Sequence, residues 1–174
     1  MYAWKEAKIE LNEQKSLQPL KWSDALALAA QDHCEDIGEK GVFGHEGSDG
    51  SKVWDRMRRY GDTTDNMGES LSFGKSRGTE YMTALFIDDG VANRGHRLSL
   101  QFKDYYLTGL AYCSHKSSYH GMVAIAYADD FKVNEKGKRE IQRRFRSRRE
   151  GSNVDWRTVR AVSKTSFSPS VQSS

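Results

Sequence analysis

The sequence predicts an α+β domain followed by a basic tail. Three observations carry that reading. Apolar residues recur at three- and four-residue steps in the first half, two β-prone runs joined by a polar turn lie between residues 105 and 128, and the charge changes sign after Phe131. With 174 residues the chain can bury a core without a structural metal or disulfides. Its net charge of +3 conceals a split: residues 132–174 carry twelve Lys and Arg against four Asp and Glu, whereas residues 1–131 carry 15 against 20.

The elements follow in order. An amphipathic stretch over 3–14 ends before Pro19. Ser23 is the N-cap of a helix that runs to Lys40 and stops at Gly41, with Leu26, Ala29, Ala30, His33 and Ile37 as its buried stripe. A second helix starts at Ser51 or Lys52, carries Val53, Trp54 and Met57 to Tyr60, and stops at Gly61. A third covers 79–88, where Tyr81, Met82, Leu85 and Phe86 fall at helical spacing. The runs 105–113 and 122–128, joined by 114–121, form an antiparallel hairpin. Beyond Phe131 the large apolar residues are too scattered to make a core, although 135–149 has the composition of a helix. The organisation is therefore a helical extension over 1–19, a body over 20–131 and a tail over 132–174.

Several functional classes are poorly supported. No apolar run approaches the roughly 20 residues of a membrane span, and the opening MYAWKEAKIELNEQ lacks the apolar stretch of a signal peptide. Cys34 and Cys113 are too few for a secreted disulfide scaffold, and no Asn-x-Ser/Thr acceptor occurs. The expectation is an intracellular protein with two free, buried thiols, although a bridge stays open because sequence does not fix their separation. Gly74-Lys75-Ser76 fails as a P-loop because Glu69 stands where a glycine is needed, and His45-Glu46 lacks a second His at 49. Neither a Gly-x-Ser-x-Gly elbow nor a Cys-x-x-Cys pair is found. What remains is a set of histidines and carboxylates in Phe43-Gly44-His45, Met67-Gly68-Glu69, Ile87-Asp88-Asp89 and Arg94-Gly95-His96, residue types that suit a zinc-type metal.

LKWSDALALAAQDHCEDIGEKGVFGHEGSDGSKVWDRMRRYG, NMGESLSFG, TALFIDDGVANRGHRLSL and YYLTGLAYC together resemble the CAP (SCP) domain, the superfamily of cysteine-rich secretory proteins, antigen 5 and pathogenesis-related 1 proteins. The resemblance covers about 20–131 and is to the disulfide-poor type of bacteria and protists. It implies a three-layer α-β-α sandwich with a small antiparallel sheet. It further implies a central His/Glu/Glu/His tetrad, matched by His45, Glu69, Asp88 and His96 as candidate ligands of a divalent metal, with no cofactor required. Asp88 stands where the family has Glu, and Leu85 where it has an aromatic. The family's longer first helix is here represented only by 3–14, so that layer is trimmed or completed by a partner.

In the tail, Arg143, Arg144, Arg146, Arg148 and Arg149 alternate with Phe145 and precede Trp156, combining guanidinium donors with aromatic anchors. The partner should be acidic. Nucleic acid is disfavoured by the acidic body, and a membrane surface by the lack of an amphipathic helix with a large apolar face. The expectation is a non-enzymatic structural protein in a larger assembly, docked on an acidic protein polymer, with the tubulin lattice of a cilium or axoneme favoured. The alternative is a metal-binding module or metal-dependent hydrolase built on the tetrad.

Overall fold

The computed structural model describes residues 2–63 and 66–151, with side chains as far as 144. Six helices occur among them: α1 (Ala3–Glu13), α2 (Asp24–Lys40), α3 (Val53–Arg58), α4 (Gly78–Ile87), α5 (Gly95–Leu100) and α6 (Glu135–Gly151). The strands are β1 (Lys21–Trp22), β2 (Gly61–Asp62), β3 (Met67–Phe73), β4 (Leu107–Ser114), β5 (Gly121–Ala128) and β6 (Lys132–Val133). A four-stranded sheet has the order β1-β4-β5-β3, antiparallel except for β1 beside β4, and β2 pairs antiparallel with β6.

Strand β5 is the centre of the sandwich, and all eight of its residues are buried. Successive side chains of a strand point to opposite faces. Met122, Ala124, Ala126 and Ala128 meet α2 through Leu26, Ala29, Ala30 and Ile37, while Val123, Ile125 and Tyr127 meet Tyr81 and Leu85 of α4. Alanines on one face let a helix lie close, and larger residues on the other fill the gap beneath a shorter helix. The fold is α+β, with helices on both faces of a small sheet.

Local signals place α2. The Ser23 hydroxyl accepts a 3.4 Å hydrogen bond from the Leu26 N–H, and Gly41 ends the helix at φ +69°, a conformation open to glycine. Gly109 of β4 carries no side chain because a Cβ there would strike the backbone of Leu26 and Ala27. Helix α4 stops one residue short of its expected end. Asp88 is its C-cap at φ +55° and turns its carboxylate back towards the chain that follows.

The first compact unit runs over Met1–Ile141 and the second over Gln142–Ser174. The expected boundaries at 20 and 132 thus lie inside the first unit. At its start, α1 buries Ala3 and Ala7 and is fixed by Glu6 to Arg94 and by Glu10 to Arg97, each at 2.8 Å. At its end, the Asn134 side chain accepts the Gly137 N–H at 2.8 Å, Gly137 lies against the Tyr60 carbonyl, and Ile141 packs on the core. No helix among the described residues is long and apolar enough to cross a membrane.

Candidate functional site

Glu69 faces the α2 layer from β3, in register with Ala126. One carboxylate oxygen accepts from His45 Nδ1 at 2.9 Å, and the other accepts from the Arg56 guanidinium of α3 at 2.8 Å. The Glu69 and Arg56 side chains are only 3% and 2% exposed. Arg56 also donates to the carbonyls of Ser51 (2.8 Å) and His45 (3.1 Å), which ties the His45 loop to α3. Burial alone would push Glu69 up, but the His45 hydrogen bond and the guanidinium outweigh it and hold the carboxyl below its ordinary value. His33 of α2 is fully buried beside this pair, with Nε2 donating to the Gly44 carbonyl at 2.9 Å. Its pKa is lowered, chiefly by burial, so it is neutral there.

Asp88 and His96 form a second pair. The Asp88 carboxylate, 2% exposed, accepts from His96 Nδ1 at 2.7 Å and from the backbone N–H groups of His96 (2.9 Å) and Arg97 (3.3 Å) at the start of α5. Arg97 itself is fully buried, donating to the carbonyls of Phe86, Ile87 and Ala3 and to Glu10.

The four tetrad residues are therefore present as two carboxylate–histidine pairs. Among the described residues no three His, Cys, Asp or Glu side chains are grouped as a metal would require. As a four-ligand set they do not fit a divalent metal, because both carboxylates already accept from nitrogen donors and a guanidinium sits on Glu69. In each pair the carboxylate accepts a hydrogen bond from Nδ1–H, which leaves Nε2 of His45 and of His96 as the nitrogen able to ligate. Sequence reasoning missed Arg56 and Arg97. Arg56 falls in line with Val53, Met57 and Tyr60 on the apolar stripe of its helix, which was the available signal.

Of the tail residues, Arg143 is exposed and Arg144 half-buried on α6. The side chains of Phe145, Arg146, Arg148 and Arg149, and all of Trp156, lie outside the described residues.

The model of the cysteine-rich secretory protein (CAP) family matches residues 10–128. The chain belongs to the CAP family. CAP-domain structures similar to it include an extracellular SCP-domain protein of Bacillus anthracis, at 18% identity and a TM-score of 0.54 over 70% of this chain. The chain spans 37% of that protein's length. It is also similar to an outer surface protein of Borrelia burgdorferi, at 16% identity and a TM-score of 0.55, over 76% of this chain and 90% of that one. No curated protein matches.

Two expectations are corrected. Cys34 and Cys113 are not free thiols but a disulfide, with Cα atoms 5.8 Å apart, because α2 lies along β4 and brings them within bonding reach across 79 residues of sequence. The intracellular, cytoskeletal or ciliary setting is overturned as well. The similar structures are of an extracellular and an outer-surface protein, and disulfides persist in oxidising compartments. The tubulin lattice loses its basis with that setting.

Proposed function

We propose that this CAP domain is a non-enzymatic interaction module that acts in an oxidising compartment outside the cytoplasm, its body presenting a basic helix to an acidic assembly. One observation carries the reading. Helix α6 is capped by Asn134 and packs on the core through Ile141, and its full length, Glu135–Gly151, carries eight Lys and Arg against three Glu. The first turns of this helix, as far as Ile141, belong to the first compact unit, so the ordering cost of that part is already met. The test is fluorescence anisotropy of the full chain with labelled linear polyanions bearing phosphate, sulfate or carboxylate. Salt-sensitive binding to at least one of them, lost in Arg139→Glu/Arg143→Glu with the circular dichroism unchanged, is expected; binding to none refutes the reading.

A second reading rests on His45 and His96, each of which faces a carboxylate through Nδ1. His45 and His96 would hold a zinc-type ion, with Glu69 and Asp88 orienting the rings instead of ligating. Stoichiometric zinc after dialysis, lost in His45→Ala/His96→Ala and kept in Glu69→Gln, is expected on that reading.

A further inference from the structure

We infer that Asp89-Gly90 is a site of spontaneous aspartate isomerisation in the folded chain, whereas Asp49-Gly50 is shielded from the same reaction. Asp-Gly occurs at these two places only. In the reaction the Gly90 nitrogen attacks Cγ of Asp89, and the new nitrogen–carbon bond closes a five-membered imide. A carbon–oxygen bond of the carboxyl breaks, and that oxygen leaves as water with the amide proton and one proton from the carboxyl or the solvent. Water then opens the ring. Addition at Cγ restores aspartate, whereas addition at the main-chain carbonyl leaves isoaspartate, in which the chain runs through the side chain. One water is lost and one regained, nothing is oxidised, and the mass is unchanged.

The two sites differ in what holds the reacting groups. In the turn after α4 the Gly90 N–H donates to Oδ1 of Asp89 at 3.1 Å, which brings the attacking nitrogen up to the carboxyl group. Reacting atoms held roughly 3–3.5 Å apart make a near-attack arrangement. Both residues are exposed, Gly90 has φ +79°, and a Cβ built on it would meet nothing within 4 Å, so the turn has room to close the ring. Among the described residues no other hydrogen bond holds the Asp89 carboxylate. At Asp49 both partners are committed elsewhere. The Gly50 N–H donates to the Gly47 carbonyl at 2.8 Å. Oδ1 of Asp49 accepts the Ser51 N–H at 2.9 Å, and Oδ2 accepts from Arg59 at 2.8 Å. The Ser51 hydrogen bonds and the Arg59 guanidinium hold this carboxyl down at about 2, so it stays ionised and loses oxygen poorly. Isomerisation at Asp89 would also reach the candidate site. The Arg94 guanidinium bridges the carbonyls of Asp88 (2.8 Å) and Val91 (2.9 Å), on either side of the Asp-Gly pair. An isoaspartate puts one extra carbon into the main chain between those carbonyls, so Arg94 loses one of them and the turn that presents Asp88 to His96 loosens.

The experiment incubates the full, oxidised chain for weeks at neutral pH and reads each site by peptide mapping, with electron-transfer fragmentation to tell isoaspartate from aspartate. Synthetic peptides spanning 45–53 and 85–93 supply the unrestrained rates. Relative to these, folding should slow isomerisation at least tenfold more at Asp49 than at Asp89, and at Asp89 by no more than about fivefold. Asp89→Asn, which undergoes the same attack with ammonia leaving in place of water, should react several-fold faster than the parent. Asp89→Glu, whose ring would have six members, should accumulate no isomer at that position. The purified isoaspartate form should show shifted His96 ring nitrogens in a 15N spectrum. A smaller difference between the two sites, a greater slowing at Asp89, or an Asp89→Asn chain no faster than the parent overturns the inference. Unchanged His96 shifts in the purified isomer overturn its extension to the candidate site.

Discussion

Replacing Glu69 with Ala would strand the Arg56 guanidinium in the core. Both side chains are almost fully buried, and after the change Arg56 would keep only the Ser51 and His45 carbonyls. Breaking one side of a buried pair costs about 3–5 kcal/mol, because the remaining charge is left uncompensated, and the one lost methylene is worth roughly 0.8 kcal/mol. We expect Glu69→Ala to destabilise by about 4 kcal/mol, so that at a slope of about 2 kcal/mol/M the urea midpoint would fall by about 2 M. Urea unfolding followed by circular dichroism is the assay, run with and without a chelator to separate the pair from any metal contribution. Adding Arg56→Met should recover part of the loss, giving a coupling of roughly 1–3 kcal/mol in a double-mutant cycle. A loss below about 1 kcal/mol for Glu69→Ala, or strict additivity with Arg56→Met, would refute the argument that this pair holds the His45 loop to the sheet.

Other predictions rest on separate features. Cys34→Ala/Cys113→Ala should lower stability by about 2–4 kcal/mol, near the chain-entropy value of roughly 4.5 kcal/mol for so long a loop, and the parent chain should resist iodoacetamide until reduced. Arg97→Met, which leaves Glu10 and three backbone carbonyls without their donor, should cost about 3 kcal/mol and expose α1 to limited proteolysis before the rest of the domain. Stability should also fall in acid in two limbs. His33 is held below its ordinary 6.5 and Glu69 below its ordinary 4.5, so in each case the unfolded chain binds the proton more readily. Stability is then full above about pH 6.5, declines below it as His33 is protonated in the unfolded state, and declines again below about 4.5 through Glu69. His33→Gln should remove the upper limb in thermal melts taken from pH 7 to 5.

Where the fold was legible, the signal was local. Helix α2 has its cap at Ser23 and its stop at Gly41 inside the element, and the β4–β5 hairpin is marked by its own composition. Strand β3 carried no such mark, because Met67-Gly-Glu-Ser-Leu-Ser-Phe73 is poor in strand formers. Its conformation is set by pairing with β5, with Ser70 opposite Ile125 and Ser72 opposite Val123. The disulfide was illegible for a related reason: nothing near Cys34 or Cys113 reports that α2 lies along β4. In the candidate site, His45, Glu69, Asp88 and His96 could be picked out by family pattern, whereas Arg56 offered only its place on the apolar stripe with Val53 and Met57, which does not name a role until the carboxylate opposite it is known.

Asp88 shows why pattern alone misassigns the role of a carboxylate. The family position calls for Glu, and as a metal ligand the shorter Asp looks like a defect. In the structure it is suited to another task. Residue 88 ends α4 at φ +55°, a region that Asp tolerates better than most residues, and from there the short side chain reaches two backbone N–H groups of α5 and the His96 ring together. An added methylene would carry the carboxylate past those donors. Asp88→Glu should therefore cost about 1–2 kcal/mol through loss of this cap and change the His96 ring nitrogen shifts in a 15N spectrum, because Nδ1 loses its fixed acceptor. If Asp88→Glu instead left stability untouched and raised zinc affinity, the carboxylate would have to be a ligand in waiting and the capping argument would be wrong. The distinction matters for the whole site. A carboxylate that caps and orients favours one tautomer of its imidazole whether or not a metal is bound, so the Nδ1 contact of His96 follows from the cap itself.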